Sequence, residues 1–196
     1  QWMGFQDVPA TSAKFGWLDS IAMNPEGTAL YVADASGKRI RMVDLVTNEV
    51  STLVGNGQDA KDGDGLGLDT TVKSPMGVAV IDQGKKLLFT EAAGSDRIRQ
   101  YDFATKYVTT VAGSDKTQGT WWGDSDGVGT NVLLAQPRQI AVDDNGIAYF
   151  VDHSNWKLKR LVISSRVVTT FAGQRRGGWV DGVGTNALLD NCGVLL

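Results

Sequence analysis

Short apolar runs separated by polar turns recur three times along the chain. The opening run of each copy reads IAM at 21–23, VAV at 78–80 and IAV at 140–142. A turn containing glycine follows it, and three further runs of about four to six residues come after that turn. Strands of this length with turn signals between them are typical of an all-β protein. No stretch longer than one turn shows the 3.6-residue period of a helix.

The three copies align over their whole length. Ile21, Val78, Ile140 and Val194 occupy the same place and stand 57, 62 and 54 residues apart. Since Val194 opens a new copy and Asp7 matches aspartates of later copies, we expect a longer array with partial units at both ends. Complete units are predicted at 21–55, 78–113 and 140–173, with long glycine-rich connectors at 56–77, 114–139 and 174–193.

The second run of each unit is apolar at nearly every position, as in Tyr149, Phe150 and Val151. Such a strand is buried on both faces. A four-stranded sheet covered on both faces by copies of itself is a blade of a β-propeller. The sequence therefore predicts about three complete four-stranded blades. Because closure takes four to eight blades, we expect other protein chains or further blades of the same chain to cover the ends.

These patterns resemble NHL-repeat β-propellers, especially a variant with a long Asp-Gly-x-Gly connector before each blade. The matching elements are the openings MGVAVID and RQIAVDDNG, the second strands YVADA, LFTEA and YFVDH, and the ending VTTVAG. RIR at 39–41 and 97–99 also matches, whereas the third copy has KLK. The resemblance implies a propeller fold. Relatives by fold include metal-dependent lactonases and a lyase for amidated peptides, and some NHL domains bind single-stranded RNA.

The composition of the chain argues against several classes of function. The 196 residues carry 19 Lys and Arg against 22 Asp and Glu, so no strong positive field favours nucleic acid or anionic lipid. No apolar run approaches the ~20 residues that span a bilayer. The single Cys192 and the single His153 cannot form a zinc site of three or four nitrogen and sulfur ligands. We therefore predict no catalytic residues, no cofactor, no nucleic-acid partner and no membrane insertion.

Strand parity predicts which loops share one rim. The loop between the second and third strands of each blade emerges on the same side as the long connectors, and we call this side the long-loop rim. Tryptophan and arginine are over-represented at binding hot spots. Tryptophans on this rim have an alternative role, which is to hold the long connectors against the blades. The candidate partner-binding residues on this rim are Trp121, Trp122, Trp156, Arg175, Arg176 and Trp179.

Each blade also ends its second strand with an acid and begins its third strand with a base, five or six residues later. An active site is needed once, whereas this arrangement recurs in every copy, so we interpret it as structural. The alternative is a ring of carboxylates that holds a cation at the channel mouth. The predicted structural pairs are Asp34 with Arg39, Glu91 with Arg97, and Asp152 with Lys157.

Alternating aspartates in two connectors resemble calcium loops. These calcium candidates are Asp62, Asp64, Asp124 and Asp126. The ligand spacing with a distal glutamate is absent, and Asp-Gly is also a common turn dipeptide. We therefore predict no metal.

The sequence favours a non-catalytic scaffold for protein–protein interaction within a larger protein or assembly. A metal-dependent enzyme of lactonase or lyase type is the alternative, and single-stranded RNA binding is the third possibility. By analogy with long secreted arrays, we expect an extracellular or cell-surface location.

Overall fold

A computed structural model of the chain describes residues 6–7, 9–58, 63–114 and 123–190. The described residues are all-β and contain no α-helix. None of their helices is long and apolar enough to cross a bilayer. The strands are β1 (Leu18–Met23), β2 (Ala29–Asp34), β3 (Arg39–Asp44), β4 (Glu49–Val54), β5 (Gly65–Leu66), β6 (Pro75–Ile81), β7 (Lys86–Glu91), β8 (Arg97–Asp102), β9 (Tyr107–Ala112), β10 (Gly127–Val128), β11 (Pro137–Val142), β12 (Ile147–Asp152), β13 (Lys157–Val162) and β14 (Val167–Gly173).

The strands form three sheets, and in each sheet four consecutive strands of the chain lie side by side in sequence order. The sheet orders are β1-β2-β3-β4, β5-β9-β8-β7-β6 and β10-β14-β13-β12-β11. Pairing in the first and third sheets is antiparallel throughout, for example Ile21 with Val32 and Ile140 with Phe150. This order of four consecutive strands is that of a propeller blade, and it confirms the predicted all-β fold.

The blades differ in two details from those predicted. Their first strands begin at Leu18, Pro75 and Pro137, about three residues earlier than expected. Two of the sheets have five strands rather than four, because the preceding connector adds a two-residue strand outside the last one. Gly65–Leu66 pairs with β9, and Gly127–Val128 pairs with β14. Part of each of these two connectors is therefore a β-strand of the blade that follows it.

The chain divides into two compact units, Gln1–Phe89 with Gln100–Thr109, and Thr90–Arg99 with Thr110–Leu196. In the first unit, apolar side chains from two consecutive blades pack face to face. The rings of Tyr31 and Phe103 lie 5.1 Å apart, and those of Tyr101 and Phe103 lie 5.2 Å apart and edge-on. Each such buried side chain contributes roughly 1.5–3 kcal/mol. The core of this unit includes Ala33, Ile40, Val54, Val78, Leu87, Phe89 and Val108.

The second unit has its own buried apolar residues. Phe150 and Leu161 are fully buried in β12 and β13, as are Val132 and Leu134 of the connector that returns to β11. On the β14 side, the rings of Tyr149 and Phe171 lie 5.5 Å apart and edge-on. The connector is therefore part of the hydrophobic core as well as of the sheet.

Candidate functional site

A cation is buried at the third position of the third strand in every blade. These residues are Arg41, Arg99 and Lys159, and all three are fully inaccessible to solvent. A buried charge is costly unless it is paired and hydrogen-bonded. The partners of these cations therefore show what the polar groups of each blade do.

In the first blade, Arg41 holds the N-terminal segment against the sheet. Its Nη2 lies 2.6 Å from Asp7 Oδ1, and its Nη1 lies 3.6 Å from Asp34 Oδ2. The guanidinium also donates to the carbonyls of Gln6 and Lys14, at 3.0 and 3.1 Å. Its Cζ lies 4.9 Å from the ring centre of Phe15, a cation–π contact. Arg41 thus joins strand to connector.

In the second blade, one carboxylate serves two arginines. Glu91 Oε2 accepts from Arg97 Nη2 at 2.7 Å, and Glu91 Oε1 accepts from Arg99 Nη1 at 2.9 Å. All three side chains are buried. This arrangement satisfies both carboxylate oxygens without solvent.

In the third blade, Lys159 lies among three aspartates. Its Nζ is 3.0 Å from Asp126 Oδ1, 3.2 Å from Asp124 Oδ1 and 3.8 Å from Asp152 Oδ2. Burial acts to raise the pKa of Asp124, but the hydrogen bonds and charges of Lys157 and Lys159 outweigh it and lower that pKa. The pKa of Asp126 is lowered too, because the amide of Thr170 and the amine of Lys159 outweigh its burial.

Asp152 behaves differently from the other two aspartates. Burial raises its pKa to about 6, although the Asn155 amide, the Ala135 N–H and the charge of Lys159 act to lower it. The Ala135 N–H donates to Oδ1 at 2.7 Å, and Asn155 Nδ2 donates to Oδ2 at 2.8 Å. Asp152 therefore ties the returning connector to the end of β12.

The pairing within the blades differs in part from the predicted one. Lys157 Nζ lies 2.5 Å from Asp124 Oδ2, and the amine beside Asp152 is that of Lys159. Lys157 and Lys159 are the first and third residues of β13, so their side chains point to the same side of the sheet. Lys159 lies deeper in the blade, where the carboxylate of Asp152 at the end of β12 reaches it.

The first blade departs from the expected pairing in a similar way. Asp34 and Arg39 are cross-strand neighbours. The Arg39 guanidinium donates to the carbonyls of Gly37 and Asn56, at 2.6 and 2.9 Å, while Arg41 forms the ion pair with Asp34. Arg39 is thereby linked to the start of the following connector.

The connector aspartates also hold the outer strands. Asp126 accepts from the N–H and the hydroxyl of Thr170, at 2.8 and 3.0 Å. Asp7 accepts from the same two groups of Thr52, at 3.1 and 3.2 Å. We call this contact, an aspartate that joins an outer-strand threonine to the buried cation, the aspartate clamp. The aspartate clamp was not predicted, although cation, aspartate and threonine stand at matching places in each copy.

The clamp changes the interpretation of the calcium candidates. The carboxylates of Asp124 and Asp126 bind lysine amines, and Asp64 lies exposed directly before β5. Asp62 lies outside the described residues. Within the described ranges, no group of three or more His, Cys, Asp or Glu side chains is placed to hold a metal ion.

The rim candidates are of two kinds. Trp156 is half-buried, and a Cβ at Gly177 would stand 3.1 Å from its Nε1, so this tryptophan packs under the last connector. Trp179, in contrast, is 85% exposed, and Arg175 and Arg176 are exposed as well. We call Arg175, Arg176 and Trp179 the Trp179 surface. Trp121 and Trp122 lie outside the described residues, as does Cys192.

Trp17 is a strongly exposed aromatic residue that was not among the predicted candidates. Trp17 is 72% exposed, and its backbone N–H donates to Ser36 Oγ at 2.6 Å. Its place in the sequence, directly before β1 and opposite the loop after β2, is the signal that could have identified it as an exposed residue. His153 is half-buried at the start of a one-turn 3-10 helix, His153–Asn155.

Comparison with known sequences identifies the repeat. The chain is 28% identical over 171 residues to NHL repeat-containing protein 2 of Bos taurus, covering 81% of this chain and 22% of that protein. It is 27% identical over 157 residues to the Homo sapiens protein of the same name, covering 76% and 21%. These relatives support an assignment to the NHL-repeat family.

Other matches extend this result. The chain is also 28% identical over 155 residues to protein SUPPRESSOR OF QUENCHING 1, chloroplastic, of Arabidopsis thaliana, covering 76% of this chain and 14% of that one. It thus spans about a fifth or less of the curated relatives described here. No family model matches the chain.

Solved structures support the fold. The chain superposes on the nidogen/laminin complex structure with a TM-score of 0.57 at 20% identity, covering 82% of this chain and 49% of that one. It superposes on Kuenenia stuttgartiensis hydrazine synthase with a TM-score of 0.52 at 16% identity, covering 85% and 36%. At such identities these matches show the propeller fold alone.

Proposed function

We propose that this NHL-repeat chain is a non-catalytic scaffold that binds another protein through the Trp179 surface. The observation that carries the proposal is a tryptophan with 85% of its surface exposed, beside two exposed arginines. Tryptophan and arginine supply a large share of binding energy at protein interfaces. Their position on a connector fits the rule that binding residues lie on loops held by a rigid scaffold.

The arrangement of charges supports a non-catalytic role. The buried ionic groups described above bind one another, and equivalents of the same groups recur from blade to blade. A reaction centre would need a group that differs from its counterparts in the other blades. The raised pKa of Asp152 has a structural cause, because its carboxylate is buried between Ala135, Asn155 and Lys159.

The relatives support the scaffold role at a general level. Two carry the repeat in their names, and one matched structure is a protein–protein complex, that of nidogen and laminin. An extracellular or cell-surface location stays a prediction.

Affinity capture with this chain as bait tests the proposal. We expect Trp179→Ala combined with Arg175→Glu and Arg176→Glu to lose a captured protein while the free energy of unfolding stays unchanged. Tyr107→Ala is the matched control, because it removes a partly exposed aromatic ring from an outer strand. Equal capture by the triple variant and the native chain would contradict the proposal. So would a stoichiometric divalent metal accompanied by hydrolytic or lyase activity.

A further inference from the structure

A groove lies where the connector at 56–77 passes from the first blade to the second. It has a volume of about 380 Å³, at the small end of the size range of binding pockets. All of its lining residues belong to the first compact unit, and the blades on both sides of it are complete. We call it the Leu68 groove. Its lining residues include Leu53, Leu66, Leu68, Asp69, Tyr101 and Lys106.

Two leucines stand in this groove with more than half of their surface in solvent. Leu66 is 52% exposed and Leu68 is 59% exposed. The backbone between them is fixed, because the Gly67 N–H donates to the Lys106 carbonyl at 2.9 Å. A Cβ at Gly67 would clash with the carbonyl oxygen of Leu53, so the connector also lies directly against β4. The exposure of the two leucines is therefore a property of the fold.

The exposed leucine and the acid after it are particular to this connector. Residues 67–69 read GLD, whereas the equivalent residues 129–131 and 184–186 both read GTN. All three segments form the same single turn of 3-10 helix. Since Gly-Thr-Asn is sufficient for that turn, the fold requires neither Leu68 nor Asp69. A site that binds one partner is expected to differ from its counterparts in this way.

Polar groups without partners lie beside the leucines. Asp69 and Lys106 are both exposed, and within the described residues neither side chain forms an ion pair or a hydrogen bond. Tyr101 is buried where it lines the groove, and its hydroxyl has no hydrogen bond in the same part of the chain. The groove therefore offers an apolar surface, one anion, one cation and one hydroxyl to a ligand.

We propose that the Leu68 groove binds an extended peptide segment of another protein, which packs two apolar side chains on Leu66 and Leu68. An acidic residue of the segment pairs with Lys106 and a basic residue pairs with Asp69, and this charge complementarity defines the occupant. Alternate side chains of an extended peptide lie on one side, so one residue separates the apolar pair. Both leucines are too exposed for a site that encloses a small molecule, whereas a segment lying across them would cover them.

Fluorescence anisotropy of labelled heptapeptides tests the proposal. The probes are Glu-Thr-Leu-Thr-Leu-Thr-Lys and the same residues in reverse order, one for each direction of the segment. We expect one of them to bind the native chain with a Kd below about 1 mM. Leu68→Thr with Asp69→Asn gives this connector the GTN of the others and should weaken binding by at least about tenfold. Val46→Thr with Asp144→Asn is the matched control at two exposed positions and should bind like the native chain. No saturation by either peptide up to about 1 mM, or equal binding by the two double variants, would overturn the proposal.

Charge exchange tests the pairing with Lys106. Lys106→Glu should weaken binding of the better peptide by about threefold or more, and a peptide with lysine in place of its glutamate should restore the affinity. Lys85→Glu is the matched control, an exposed lysine in the turn before β7, and should keep the preference of the native chain. If the exchanged peptide binds Lys106→Glu no better than it binds the native chain, the proposal is wrong. The triple variant of the Trp179 surface should bind the peptides normally, so the two proposed sites can fail separately.

Discussion

At the scale of single residues, the polar chemistry of this protein is mainly structural. Arg41, Arg99 and Lys159 are fully buried, and each is bound by carboxylates. Removing one member of such a group leaves an uncompensated buried charge, which is far more costly than losing a surface ion pair. The blades therefore depend on these residues for stability.

Lys159→Met tests this role. The methionine fills a similar volume but leaves Asp124, Asp126 and Asp152 close together without the cation. We expect the free energy of unfolding to fall by about 3–5 kcal/mol. Arg160→Met is the matched control, since the next side chain along β13 is exposed, and it should change stability by no more than about 0.5 kcal/mol. Urea denaturation measures both, and equal midpoints for the two variants would show that the buried cation does not stabilise the blade.

Asp152 makes a prediction about pH. Its pKa is about 6 in the folded chain and about 3.8 when unfolded, so the folded state binds the proton more tightly between those values. Its contribution to stability is therefore complete below about pH 4 and is lost as pH rises through about 6, by about 3 kcal/mol in total. Asp152→Asn removes this dependence.

Urea titrations at several pH values measure the effect. The unfolding free energy of the native chain relative to that of Asp152→Asn should fall by about 2.4 kcal/mol from pH 4 to pH 7. Asp124 and Asp126, whose pKa values are lowered, are present in both proteins, so the difference reports chiefly on Asp152. A difference that is constant with pH would mean that Asp152 keeps an ordinary pKa.

At the scale of elements, the end of each outer strand has a strict steric requirement. Gly113 follows β9 with φ +90°, and a Cβ there would stand 2.5 Å from the Asp96 carbonyl oxygen and 2.8 Å from Arg97 Cα. Gly55 and Gly173 stand in equivalent places. This contact brings the connector's start against the third strand, which places the connector on the rim.

Gly113→Ala should therefore be severely destabilising. We expect a loss of about 2–5 kcal/mol, made up of the left-handed conformation and the clash with backbone atoms. Gly94→Ala is the matched control, because Gly94 has φ +98° and no atom within 4 Å of its Cβ position. It should lose only about 1–2 kcal/mol. Thermal unfolding of both variants measures the difference, and equal losses would show that close approach has no role.

At the scale of the whole molecule, sequence periodicity predicted the blades because each strand carries its own signal. The apolar second strands, the turns and the repeat spacing are local features, and four-strand sheets follow from them. The strands β5 and β10 escaped prediction because two residues show no period. Their pairing is set by contacts with strands some 40 residues away in the chain.

The candidate site was predicted less completely, for a geometric reason. Arg39 and Arg41 point to the same side of β3, so sequence spacing alone favours the one nearer to Asp34 in the hairpin. The buried partner of Asp34 is instead Arg41. Asp7 binds the same guanidinium from the connector side. The exposure of Trp179 and the packing of Trp156 likewise depend on how the last connector folds, which neighbouring residues do not encode.

The connectors at 56–77 and 114–139 each complete the blade that follows them. Backbone NMR tests this most directly. We expect inter-strand nuclear Overhauser contacts between Gly127 and Val168 and between Gly65 and Val108, with slow amide exchange at Thr170. Absence of these contacts, with rapid exchange at Thr170 while β11–β13 remain protected, would contradict it.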